Sequence, residues 1–145
     1  MASGDIKIID GTIAGHALLT DINRSNVQVY VSEASAWRIF HRNPTPIEDL
    51  QQSVTFPNIE KDQFGHQTTL NSISVRYAQH WFAKYDGVFT RSYLTLVHEL
   101  QHVIDIMYGI SDRMDGERRA VAKENIIREE LKIPEIRLFY HGIKL

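Results

Sequence analysis

The sequence contains no cysteine. That excludes disulfide cross-links, thiolate nucleophiles and sulfur-ligated zinc, so a bound metal would have to be held by histidines and carboxylates. It also makes the fold indifferent to redox compartment, which suits a protein that crosses compartments. No apolar run approaches the ~18 residues of a membrane span, and no signal peptide is visible. No internal repeat, low-complexity tract or linker interrupts the chain. Charge of one sign is not in excess either: the formal net charge is -2. That total gives no reason to expect a nucleic-acid or a membrane partner. Proline is scarce, at four residues, and Pro44, Pro46 and Pro57 mark an irregular middle.

What remains is an ordinary globular composition, 43% hydrophobic and 23% charged over 145 residues, enough for one domain (1–145) with a real core. The start, Met1 to Asp5, is small and polar and reads as an appended scar, and the domain reads as one excised from a longer protein. Two halves are expected. Residues 5–80 look strand-rich. Ile6-Lys7-Ile8-Ile9 reads as a short strand ended by the turn pair Asp10-Gly11. Val27 to Val31 reads as a β-branched strand, Trp37 to Phe40 as a strand or short helix, and Ile47 to Gln52 as one helical turn. Ile73, Val75 and Tyr77 alternate with Ser72, Ser74 and Arg76, a period-two strand. From Ser92 the period becomes helical, with Ser92 as N-cap and Gly109 just past the end. A second helix runs from about Asp115 to Leu131 and stops before Pro134. The tail from Arg137 to Leu145 is expected to be extended.

The first helix carries His98-Glu99-Leu100-Gln101-His102, an HExxH pattern. Residues i and i+4 lie roughly 40° apart around a helix, so two imidazoles can share one ion. The glutamate at i+1 can reach a water at the metal without ligating the metal itself. Leu96, Leu100, Val103, Ile104 and Met107 fall on the opposite side, as on a helix with one face in the core and one on a site. Val97 and Val103 flank the motif without charge. These residues point to a zinc peptidase, with His98 and His102 as ligands and Glu99 as general base. His16, His41, His66 and His80 have no ligand spacing and read as surface or structural residues, and Trp37, Trp81 and Phe82 read as core.

A catalytic zinc takes three protein ligands. Asp105 lies on the metal face one turn past His102, where a hydrogen bond to a ligand histidine suits its short side chain better than ligation. Glu117 and Glu124 stand on the second helix, seven residues apart. Ala120 beside Glu117 would let the helices approach closely, which favours Glu117. Glu124 stands as an outer hydrogen-bonding partner or as the alternative ligand.

The order His98-Glu99-Leu100-Gln101-His102, Glu117-Arg118-Arg119-Ala120-Val121, Glu124-Asn125-Ile126-Ile127-Arg128-Glu129-Glu130, then Pro134 and Arg137-Leu138-Phe139-Tyr140 resembles the NleD-type effector metallopeptidases. These occur as type III effectors and as toxin domains. The resemblance covers roughly residues 92–141. The Arg-x-x-Tyr element is also similar to that of clostridial neurotoxin light chains, where a glutamate downstream of the motif ligates zinc and an arginine and a tyrosine flank the metal. Carried over, this implies Glu117 as third ligand, with Arg137 and Tyr140 stabilising the oxyanion; His141 is a neighbouring stand-in. Fourteen residues separate His102 from Glu117, fewer than in the neurotoxins, and Ala120-Val121 stands where they have Thr-Phe, which keeps Glu124 open as a ligand. The resemblance implies a secreted, translocated effector that cuts a protein inside a target cell, for example a signalling kinase. A housekeeping peptidase acting on short peptides and a silent zinc-stapled binding module are the competing readings. An immunity protein or a secretion chaperone would be its partners, and the chain is expected to act as a monomer. The fold expected is α+β and zincin-like: a small twisted, mostly antiparallel sheet on the active-site helix, with a second ligand-bearing helix. The strand Ser72 to Tyr77 is the expected edge beside the cleft, open to an extended substrate.

Overall fold

The computed structural model describes residues 2–33, 53–77, 82–85, 87–110, 112–140 and 142–145. The expectations for Trp37 to Phe40, Ile47 to Gln52, His41, His80, Trp81 and His141 lie outside them, as does the side chain of Phe82. Two helices open the chain, α1 (Ala2–Asp10) and α2 (Ile13–Arg24). Strands β1 (Gln28–Glu33), β2 (Val54–Lys61) and β3 (Gln67–Tyr77) form one sheet in the order β1-β3-β2. The hairpin of β4 (Phe82–Tyr85) and β5 (Val88–Arg91) runs directly into α3 (Ser92–Met107). Then come α4 (Arg113–Glu130) and a closing hairpin, β6 (Phe139–Tyr140) with β7 (Ile143–Lys144). The architecture is α+β.

Several expectations are corrected here. The opening is helical rather than a strand. Ile6 and Ile9 pack on the core while Ile8 is 42% exposed; a strand would have put Ile6 and Ile8 on one face. Asp10-Gly11 is therefore a corner between helices, and Thr12 caps α2 by accepting from the Gly15 amide at 3.0 Å. Second, the sheet is mixed: β1 is parallel to β3, and β2 is antiparallel to it. Third, β3 is the central strand, so it is no edge; β2 is the strand on the side of the cleft. Ile73, Val75 and Tyr77 are fully buried, which is what a central strand with one core face requires. The first residues are also no loose appendage, since Asp5 accepts hydrogen bonds from the Tyr77 hydroxyl at 2.8 Å and the Ser92 hydroxyl at 3.0 Å.

Helix α3 is the axis of the molecule. It packs against β2 and β3, against α1 and α2, and against α4. Leu94, Leu96, Val97, Leu100 and Val103 join Ile73, Val75 and Tyr77 of β3, Ile9, Leu18 and Ile22 of the opening helices, and Ile127 of α4 in one core. Each such side chain contributes about 1.5–3 kcal/mol on burial. Because α3 is covered on several sides, Thr95, His98, Glu99 and Gln101 are buried along with its leucines and valines. Its N-cap is Arg91, which makes no side-chain capping bond, rather than Ser92. At the other end Gly109 takes φ 71°. The amide of Ile110 returns to the Asp105 carbonyl at 2.8 Å and that of Gly109 to Ile106 at 3.1 Å, a left-handed stop that favours glycine.

Candidate metal centre and cleft

The Gly109 turn sends the chain back along α3. Asp105 meets Arg119, His102 meets Glu117 and His98 meets Glu124, so the two helices run antiparallel. They come close where α4 has Gly116: a Cβ there would lie 3.4 Å from Asp105 Oδ2 and 4.0 Å from His102 Nδ1. Those are ordinary van der Waals distances, so α4 lies in contact with α3 at this point, one residue before Glu117.

His98 and His102 stand one turn apart, with ring centroids 4.9 Å apart and planes 77° from parallel. Glu117 closes the group. Its Oε2 is 2.9 Å from His98 Nε2, and its Oε1 is 3.2 Å from His102 Nε2. Ligand atoms of the three residues lie within 4.8 Å of one another, and the group could hold a metal ion. The donor chemistry fits such an ion. Two imidazole Nε2 atoms and one carboxylate converge, while the other nitrogen of His98 is already taken by Glu124 Oε2 at 2.7 Å. That outer contact fixes the ring and turns its free nitrogen toward the shared point.

The electrostatics agree. Burial opposes a charge on His98, yet the hydrogen bonds to Glu117 and Glu124 overcome it and push the imidazole up to about 10. Burial likewise opposes charge on Glu117, but the two histidines hold its carboxyl well below the usual carboxylate range. The centre is built to receive positive charge, from a proton or from a cation.

Of the three acids weighed as ligands, Glu117 joins the histidines. Glu124, fully buried, sits behind His98; its Oε2 also accepts from Arg137 Nη1 at 3.1 Å. Asp105 takes neither position. It forms a two-pronged pair with Arg119 (Nε at 3.1 Å and Nη2 at 3.0 Å) and accepts from Gln101, which locks α4 onto α3. Arg137 is 6% exposed, with its backbone gripped on both sides by Asn125: the Asn125 amide donates to the Arg137 carbonyl at 2.8 Å, and the Arg137 amide donates to Asn125 Oδ1 at 2.9 Å. Its guanidinium lies over the Tyr140 ring, 5.6 Å from the centroid. The Tyr140 ring is stacked on His98 at 6.2 Å. Arg137 thus contacts both the Tyr140 ring and Glu124.

Sequence reasoning missed Asn125, Thr90 and Arg128 as parts of this centre. The i, i+4 spacing of Glu124 and Arg128 could have flagged the last. His16 and His66 are exposed and paired with Asp10 and Asp62, as expected of surface histidines.

A cleft of about 390 Å³ opens over the group. Ser53, Val54 and Thr55 at the start of β2 form one wall, and Ile106, Ile110, Asp112 and Arg113 form another. Glu99, His102, Glu117 and Tyr140 face into it. Glu99 is 4% exposed, and its carboxyl stands 4.0 Å from His102 Nε2. Burial pushes this acid up, against the pull of the two histidines. Thr55 donates to the Glu99 carbonyl at 3.2 Å, pinning β2 to the turn of α3 that carries His98 and His102. No protein-family model, curated protein or solved structure matches the chain.

Proposed function

We propose that this chain is a zinc-dependent endopeptidase on a zincin-like fold. The observation that carries the reading is the position of Glu99. It lies on the cleft side of the His98, His102 and Glu117 group, buried, and free of the two-pronged pairing that occupies Asp105. A purely structural metal site has no use for a buried acid there. Zinc held by His98, His102 and Glu117 would supply Lewis acidity and a water of pKa lowered toward ~7.

The chain's own groups supply the rest. Glu99 takes a proton from the attacking water and returns it to the leaving nitrogen. Tyr140 lines the same cleft, and burial pushes its hydroxyl up to about 12. It stays protonated at neutral pH and can donate to the developing oxyanion. Such a donor is worth about 3–4 kcal/mol. Arg137 holds the Tyr140 ring and Glu124 rather than the substrate. Glu124 holds His98.

The substrate that best suits this cleft is an extended segment of a protein, lying between β2 and the α3–α4 turn. The resemblance to NleD-type effectors supports a bacterial enzyme delivered into a target cell. The test is zinc analysis with cleavage of an unfolded protein such as casein, followed by terminal proteomics of exposed cells. Wild type that takes up no zinc, or a Glu99→Ala variant that cleaves at the wild-type rate, would overturn the reading.

A further inference from the structure

Arg128 is fully buried on α4, on the same helix face as Glu124 and next to Ile127. A guanidinium enclosed by protein must be matched by nearby acceptors. Among the described residues the two terminal nitrogens of Arg128 have three partners, while Nε makes no hydrogen bond. Nη1 donates to the Phe89 carbonyl at 3.3 Å, Nη2 donates to the Thr90 hydroxyl at 2.9 Å, and Nη2 stands 3.8 Å from Glu124 Oε1. The Thr90 hydroxyl in turn donates to the Val88 carbonyl at 3.3 Å, which leaves its lone pair for Arg128. Phe89 and Thr90 lie in β5, immediately ahead of α3. Arg128 therefore reaches across from α4 to the root of the helix that carries both histidines.

The division of labour on Glu124 is the telling feature. Oε2 is used twice, by His98 Nδ1 at 2.7 Å and by Arg137 Nη1 at 3.1 Å. Oε1 makes no hydrogen bond among the described residues, and its charged neighbour is Arg128. Without that neighbour the carboxylate would gain by rotating, giving one oxygen to Arg137 and the other to His98. The shared geometry would be lost.

We infer that Arg128 is a positioning residue: anchored to Thr90 and Phe89, it holds the second oxygen of Glu124 so that the first can serve His98 and Arg137 together. This rests on the reading of His98, His102 and Glu117 as a zinc site.

The test is zinc affinity, measured by competition with a chromophoric chelator, beside casein kinetics and thermal unfolding of the same proteins. Arg128→Met replaces the guanidinium with a shorter apolar chain and leaves Glu124 Oε1 without its charged neighbour, a loss that is itself destabilising, so unfolding is measured alongside. The variant is expected to bind zinc about 10–100-fold more weakly and to lose kcat with KM little changed, while unfolding cooperatively. Arg128→Lys, which keeps a cation without the fork, should recover part of the loss. Should Arg128→Met fail to fold, Thr90→Val removes one anchor and is expected to weaken zinc binding several-fold. Zinc affinity and kcat within twofold of wild type in Arg128→Met, or in Thr90→Val when that variant stands in, overturns the inference while the zinc reading stands. A wild type that binds no zinc overturns both.

Discussion

Glu99, Glu117 and Glu124 are three acids within one small region, and their surroundings give them different work. Glu117 is shared between two imidazoles and held ionised, Glu124 is shared between His98 and Arg137, and Glu99 approaches His102 at 4.0 Å on the cleft side. Each separation has a consequence. Glu124→Ala frees the His98 ring and should weaken zinc binding about 10–100-fold, read by chelator competition. Tyr140→Phe removes a hydroxyl from the cleft and should lower kcat about 100–1,000-fold, with zinc content intact. His98 gives a pH effect. In the metal-free protein its imidazole is raised from 6.5 to about 10. The sign follows: the stabilisation from its charged form is fully present below the unfolded value of 6.5 and is lost as pH rises through about 10. Zinc needs the neutral ring, so zinc uptake near pH 7 should release a proton, and affinity should climb with pH across that window. Indicator-dye titration measures both; a pH-independent affinity would contradict the imidazolium assignment.

At the scale of elements, the helices that carry His98, His102 and Glu117 were legible and the scaffold was less so. HExxH needs its two histidines on one face, so α3 announced itself through spacing, and Gly109 and Pro134 bounded α3 and α4. Helix pairing narrowed the candidate third ligand, and the side-chain positions single out Glu117, which meets both histidines, where Glu124 meets His98 from the other side. The first helix was misread because Ile6 to Ile9 is too short a run to separate period two from period 3.6, and α2 was given no reading of its own. Strand order was beyond reach for a different reason: pairing partners depend on contacts distant in sequence, and alternation in β3 says which face is buried, not which neighbour lies alongside. One cap illustrates such distance. Glu130, at the end of α4, accepts from the amides of Ile13 at 2.6 Å and Ala14 at 2.9 Å at the start of α2. Glu130→Ala should cost about 1 kcal/mol, visible as a lower midpoint in urea unfolding with no change in zinc affinity.

Across the whole molecule, one helix does two jobs. The leucines and valines of α3 knit the sheet to the opening helices, and the histidines between them face α4. An ion held by His98, His102 and Glu117 would therefore be linked to folding. A ligand bound to the native state alone, at about 100 times its dissociation constant, adds about 2.7 kcal/mol, so chelation should lower the unfolding temperature of wild type and leave a His98→Ala, His102→Ala double variant unmoved. The reading as a peptidase stands or falls on Glu99. The direct measurement is zinc stoichiometry by elemental analysis together with casein cleavage, for wild type and for Glu99→Gln. One zinc per chain in both proteins, with cleavage lowered at least about 100-fold in the variant as expected for loss of a general base, is the predicted result. Full cleavage by Glu99→Gln with its zinc in place, or a wild type that holds no zinc after reconstitution, would contradict it.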